Sequence, residues 1–157
     1  MMKTNENPYR SARKAAALYN DKFGSIEGAA EALNLSVSSL NNYELNITRP
    51  PMENVVLMAD QYNAPELRQW YCKHECPIGL FYPLATEQKG VEGITLRLLK
   101  EFDPCKIESI SRDLINITED GVISEEEKPQ MKKILESLDR LSEVISELKL
   151  AGEKAMR

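Results

Sequence analysis

Apolar residues recur along this chain at steps of three and four, and no stretch shows the alternation that marks a half-buried strand. The spacing predicts an all-α protein of eight helical segments. Asn7 is placed to cap the first, with Pro8 in the favoured first position and the helix running to about Lys22. Gly24 closes it. Ser25 caps a second helix, Ile26 to Leu33, and Ser36 caps a third, Val37 to Leu45. Pro50-Pro51 breaks the chain and starts a fourth, Met52 to about Tyr62, whose Val55, Val56, Met58 and Ala59 form an apolar stripe. Ala64-Pro65 opens a fifth, carrying Leu67, Trp70 and Tyr71 inward.

Residues 77–90, PIGLFYPLATEQKG, lose the helical period and read as a connector. Beyond it, Val91, Ile94, Leu98 and Phe102 mark a sixth helix, stopped by Asp103-Pro104. Ile107, Ile110, Leu114 and Ile117 mark a seventh. The last, from about Glu125 to Ala155, places Met131, Ile134, Leu138, Leu141, Ile145 and Leu148 at alternating steps of three and four, a heptad seam. Leu135, Val144 and Leu150 lie off the seam and widen the apolar face. A face that wide suits packing within the chain on one side and against a second copy on the other. The expected organisation is a five-helix head over residues 1–76, the connector 77–90, and a helical oligomerisation region 91–157 ending in a long helix.

Within the head, residues 26–45 have the pattern of two short helices joined by a tight turn. Ala30 sits where the helices come closest, and Leu33, Leu35 and Leu40 fill the wedge, with Tyr43 continuing the inner face. Asn34 stands where the chain must leave the first helix with positive φ, and its short polar side chain tolerates that conformation. Asn46 is suited to the same geometry at the next helix exit. A second helix presented this way has the shape that enters a DNA major groove.

Charge qualifies that picture. The 157 residues carry 20 Lys and Arg against 25 Asp and Glu, a formal net charge of −5. Residues 1–50 hold six basic side chains (Lys3, Arg10, Arg13, Lys14, Lys22, Arg49) and five acidic ones, so the acidity lies mostly beyond the head. Phosphate affinity per copy would be modest, because it scales with the number of contacts, and two copies would double them. No apolar run approaches the roughly 20 residues that cross a bilayer, the start MMKTNENPYRSARK lacks the apolar core of a secretory signal, and three Cys show no framework spacing. A cytoplasmic location is expected.

Together, Ala30, the turn at Asn34, Leu35, Leu40, the Tyr43-Glu44 pair, Asn46 and Pro50 resemble the phage repressor and Cro type of helix-turn-helix regulator, the Xre family. The resemblance spans roughly residues 8–71, and residues 66–79, ELRQWYCKHECPIG, look like stretches in phage and Firmicutes members. It implies a sequence-specific DNA-binding transcriptional regulator, most simply a repressor, holding a near-palindromic operator as a homodimer. It also implies an ion pair between Arg13 and Glu44. Ser36, Val37, Ser38, Asn41 and Asn42 would face bases; Asn suits adenine and Val a thymine methyl, which predicts an A·T-leaning half-site. Arg13, Lys14, Lys22, Ser25 and Arg49 would meet phosphates, and the arm around Lys3 would reach an adjacent groove. Three departures stand out: Ile26 occupies a position commonly held by a phosphate-binding Gln, Tyr19 to Gly24 reads as an insertion, and Asn34 and Asn46 stand where Gly is expected.

Other constellations are weaker. Asn116, Thr118, Asp120, Val122, Ser124 and Glu127 occupy the ligand frame of an EF-hand loop around Gly121, but only two bring charge, and Ser124 with Glu127 reads better as a capping box. Cys72, His74, Cys76 and Cys105 lack zinc-ribbon spacing and read as reduced thiols. No partnered nucleophile accompanies His74, the single histidine, and no glycine-rich phosphate loop follows a strand. Neither an enzyme nor a cofactor, resident metal or small-molecule substrate is expected. The rival is a protein-interaction adaptor, such as an antitoxin or phage accessory factor, working through the acidic C-terminal helices.

Overall fold

The computed structural model describes residues 6–86 and 89–156, all of whose regular structure is helical. Eight α-helices follow in order: α1 Pro8–Ala16, α2 Ile26–Ala32, α3 Val37–Glu44, α4 Met52–Gln61, α5 Glu66–His74, α6 Val91–Glu101, α7 Pro104–Thr118 and α8 Lys128–Ala155. Short 3-10 turns occupy Asp21–Gly24 and Gly79–Phe81. Among these residues no helix is long and apolar enough to cross a membrane.

The first five helices enclose one core. Tyr9, Ala12, Ala16, Phe23, Ala29, Ala30, Leu33, Leu40, Val55, Met58, Ala59, Tyr62 and Leu67 are buried together, with Trp70 and Tyr71 packed against them. Ala12, Ala16, Ala29, Ala30 and Ala59 contribute small side chains to this core. Phe23 meets Tyr62, and Tyr9 meets Trp70, edge to face at ring separations of 5.1 and 5.9 Å. Val56, expected in the inward stripe of α4, faces solvent instead, since its neighbours Val55, Met58 and Ala59 already fill that side.

The first helix is shorter than its pattern predicts. It stops at Ala16, and Leu18 and Tyr19 swing outward. The Tyr19 hydroxyl donates to the Tyr62 carbonyl, and Asn20 caps the 3-10 turn by accepting from the Lys22 amide. The insertion is thus a compact extra turn that delivers Phe23 to the core. It sits so close to α2 that a Cβ on Gly28 would lie 2.3 Å from the Lys22 carbonyl oxygen. Glycine is required there for close approach.

The connector folds back on the head. A Cβ on Gly79 would come within 1.9 Å of the Cys72 carbonyl oxygen, and Lys73 Nζ donates to the Leu84 carbonyl. α8 then packs along α6 and, less extensively, α7. Its C-terminal half also reaches α5: Arg68 pairs with Glu153, Lys154 Nζ lies 3.6 Å from Glu66, and Ser146 Oγ donates to Gln69 at 3.2 Å while accepting from the Ala85 amide. Glu147 is a buried carboxylate on α8, held by Lys89 at 2.6 Å on one oxygen and by Arg97 on the other. Removing either cation would leave buried negative charge short of a partner.

Candidate nucleic-acid interface

The third helix is presented by two matched turns. α2 ends at Leu33, and Asn34 takes φ 51°, so that the Asn34 amide donates to the Glu31 carbonyl and the Leu35 amide to the Ala30 carbonyl. This paired arrangement is the Schellman closure, which satisfies carbonyls the helix would otherwise leave open. α3 ends identically: Asn46 has φ 57° and donates to Tyr43, while Ile47 donates to Asn42. A third copy closes α4 at Asn63, φ 50°, where Asn before Ala64-Pro65 is the same signal in sequence as at Asn34 and Asn46. At the N-terminal end of α3, Ser36 accepts from the Ser39 amide at 3.0 Å, and Ser25 does the same for Gly28 in α2.

Two long-range clamps orient α3. Arg13 from α1 grips Glu44 in a bidentate fork, Nε to Oε1 at 2.6 Å and Nη2 to Oε2 at 2.8 Å, and donates its remaining arm to the Phe23 carbonyl at 2.9 Å. Both side chains are buried. Glu44 hydrogen bonding raises the Arg13 pKa further, against the opposing effect of burial. Asn7 supplies the second clamp. Its Oδ1 caps α1 through the Arg10 amide, while its Nδ2 donates to the Tyr43 carbonyl and to Asn46 Oδ1, each at 2.7 Å. The capping role was legible in sequence; the tie to the far end of α3 was not.

The outward side of α3 exposes Val37, at 43%, and Ser38, with Asn41 and Asn42 half-buried. Ser36 is exposed, but its hydroxyl is engaged with both the amide and the hydroxyl of Ser39. Around this face the basic residues differ in availability. Arg13 leaves the phosphate set: its guanidinium is buried and spent on Glu44 and Phe23. Lys14 makes an exposed pair with Glu6 at 2.9 Å. Arg49 is tied to Glu75, through both the carboxylate and the main-chain carbonyl. Lys22 forms no ion pair with a described residue, and neither does Arg10, an exposed cation in the first turn of α1 that was not singled out for phosphate. Ser25 is exposed at the start of α2. Lys3 lies outside the described residues.

Beside the exit of α3, Tyr9, Tyr43, Asn46, Thr48, Arg49, Pro50 and Glu75 line an open cleft of about 210 Å³. The Tyr9 hydroxyl is buried without a described partner, and burial pushes its pKa up, with Glu75 adding to the effect.

Residues 24–67 match the helix-turn-helix family model. The matched segment begins one residue before the Ser25 cap and ends at Leu67, so it holds α2, α3, α4 and the start of α5. The match supports a DNA-binding transcription regulator. No curated protein matches the chain, nor does any solved structure.

The other constellations take ordinary structural roles. In the 116–127 loop, Gly121 has φ 75°, Asp120 accepts from the Val122 amide, and Glu127 turns back to the Ser124 amide and hydroxyl at 2.9 and 2.7 Å. These contacts use the carboxylates locally, and no group of three or more metal-binding side chains converges among the described residues. α8 accordingly begins at Lys128 rather than Glu125. His74 stacks on Trp70 with its Nδ1 2.9 Å from the Trp70 carbonyl, while burial and Cys76 push the Cys72 thiol up.

The heptad seam divides. Ile134 is buried and Leu141 and Leu148 are half-buried within the chain, joined there by off-seam Val144 and Leu150. Leu138 and Ile145 remain exposed, Met131 half-buried, and off-seam Leu135 stands beside them.

Proposed function

We propose that the protein is a transcriptional repressor of phage or Firmicutes type that holds a near-palindromic operator as a homodimer. The observation that carries this reading is the solvent-facing side of α3, polar and free of carboxylates, held rigidly by the Arg13–Glu44 fork and the Asn7 clamp. Ser38, Asn41, Asn42 and Val37 read base edges, with Ser36 assisting through its position rather than its engaged hydroxyl. Lys22, Arg10, Lys14, Arg49 and the Ser25 hydroxyl position the head on phosphates. Two heads related by a two-fold axis set their α3 helices about 34 Å apart, one turn of B-DNA.

The test is a selection of bound duplexes followed by titration of the best site. Asn41→Ala with Asn42→Ala should erase the preference for that site over scrambled DNA while leaving the circular dichroism spectrum unchanged. Undiminished selectivity would refute the assignment. Affinity should fall steeply with added salt. The adaptor reading draws support from the apolar outer surface of α6 to α8. It predicts salt-insensitive capture of a protein and no DNA affinity at all.

A further inference from the structure

The C-terminal helices bury little of themselves. From Val91 onward, the described buried apolar side chains are Ile94, Ile117, Ile134, Val144 and Leu150, spread over three helices, whereas the head has a dense core. The chain exposes 10377 Å², against roughly 8,000 Å² for a compact monomer of its mass. Part of the surface that the C-terminal helices expose is apolar, at Val91, Leu96, Leu99, Phe102, Leu135, Leu138 and Ile145.

α8 shows where that surface lies. Its apolar residues fall into two stripes about a quarter-turn apart. The inner stripe, Ile134, Leu141, Val144 and Leu148, is covered by the chain itself. The outer stripe is Met131, Leu135, Leu138 and Ile145, with Leu135 53%, Leu138 42% and Ile145 38% exposed. Its steps of four, three and seven keep heptad spacing. Lys132 and Asp139, both exposed, lie seven residues apart along one flank.

We infer that the outer stripe is the seat of a second copy of this chain, packed antiparallel about a two-fold axis. This deepens the homodimer of the proposed function and rests on it. In that pairing Leu135 lies over Leu138 of the second copy and the reverse, and Lys132 of each copy meets Asp139 of the other. A self-complementary contact needs only one surface, and the two charges complete each other only when the helices run in opposite directions. Two three-helix units thereby become one six-helix bundle whose new centre is the stripe that each copy leaves wet.

The experiment is sedimentation equilibrium of the full chain, read beside far-UV circular dichroism. Wild type should show the mass of two copies. Leu135→Lys with Leu138→Lys should show one, with unchanged helicity and unchanged affinity for a single half-site duplex. Lys132→Glu should weaken self-association, and adding Asp139→Lys should restore it. Persistence of the paired mass in the double-Lys variant would overturn the surface while leaving the dimer itself standing. Lost helicity would overturn it too, by placing the stripe in the chain's own core. Failure of the charge exchange to restore pairing would overturn the antiparallel arrangement. A wild-type chain that stays single, both free and on a two-half-site duplex, would overturn the stripe and the homodimer together.

Discussion

Glu44→Ala isolates the clamp that fixes α3. The substitution removes both acceptors of the Arg13 fork and leaves a guanidinium whose one remaining partner is the Phe23 carbonyl. Arg13 is only 6% exposed, so water cannot replace the lost carboxylate without opening the core. Breaking a buried pair from one side costs about 3–5 kcal/mol. At roughly 2–4 °C per kcal/mol for chains of 150–250 residues, the melting temperature should fall by roughly 6–20 °C. Thermal and urea unfolding followed at 222 nm, with Trp70 fluorescence as a second probe, measures it. Replacing both partners, Arg13→Met with Glu44→Leu, should recover most of the loss, because the expense lies in the stranded charge rather than in the absent bond. A Glu44→Ala loss below about 1 kcal/mol, or a double variant no better than the single, would show that the fork is relaxed in solution and does not orient α3.

Three further expectations come from the backbone and from buried hydroxyls. Gly28→Ala, normally worth close to 1 kcal/mol in a helix, should instead destabilise by about 1–3 kcal/mol because the new methyl meets main chain at 2.3 Å; a raised urea midpoint would contradict the close packing of the 3-10 turn on α2. Asn63→Gly relieves a positive φ and removes a buried Oδ1 that has no partner among the described residues, so unfolding should become harder by about 1–2 kcal/mol, and no gain in midpoint would count against it. Burial raises the pKa of both Tyr9 and Tyr62, Glu75 and Glu44 respectively adding to it. Their folded values thus lie above the unfolded value of about 10, and the linked stability is complete below that pH and lost as pH rises past it toward the folded values. Tyr62→Phe should flatten that alkaline decline without lowering stability at neutral pH; an unchanged slope would locate the titration elsewhere.

Local chemistry made much of the head legible. Asn7, Ser25 and Ser36 cap where their positions before apolar periods indicate, and Asn34 and Asn46 adopt the left-handed turn their side chains tolerate. Element ends set by distant partners were not legible. The run Ala15 to Leu18 continues a helical pattern, yet α1 stops because Tyr19 and Asn20 find better partners in Tyr62 and in a new turn. The heptad seam misled for a related reason. A helix touched on one side and open on the other carries two interleaved stripes, and a list of steps of three and four does not say which residues belong to which. Arg13 shows the limit for charge: an ion pair and a phosphate contact were both expected of it, and a guanidinium buried against Glu44 and Phe23 serves the first and is out of reach of the second.

The polar strap from α8 to α5 joins residues 77 to 88 positions apart, from Gln69–Ser146 to Glu66–Lys154. Such half-exposed ties hold the first and last parts of the chain together only weakly, each ion pair contributing at most about 1 kcal/mol. Severing the connector should therefore let the two fragments travel apart, and raising the salt concentration should loosen the terminal helix from the head before the head itself melts.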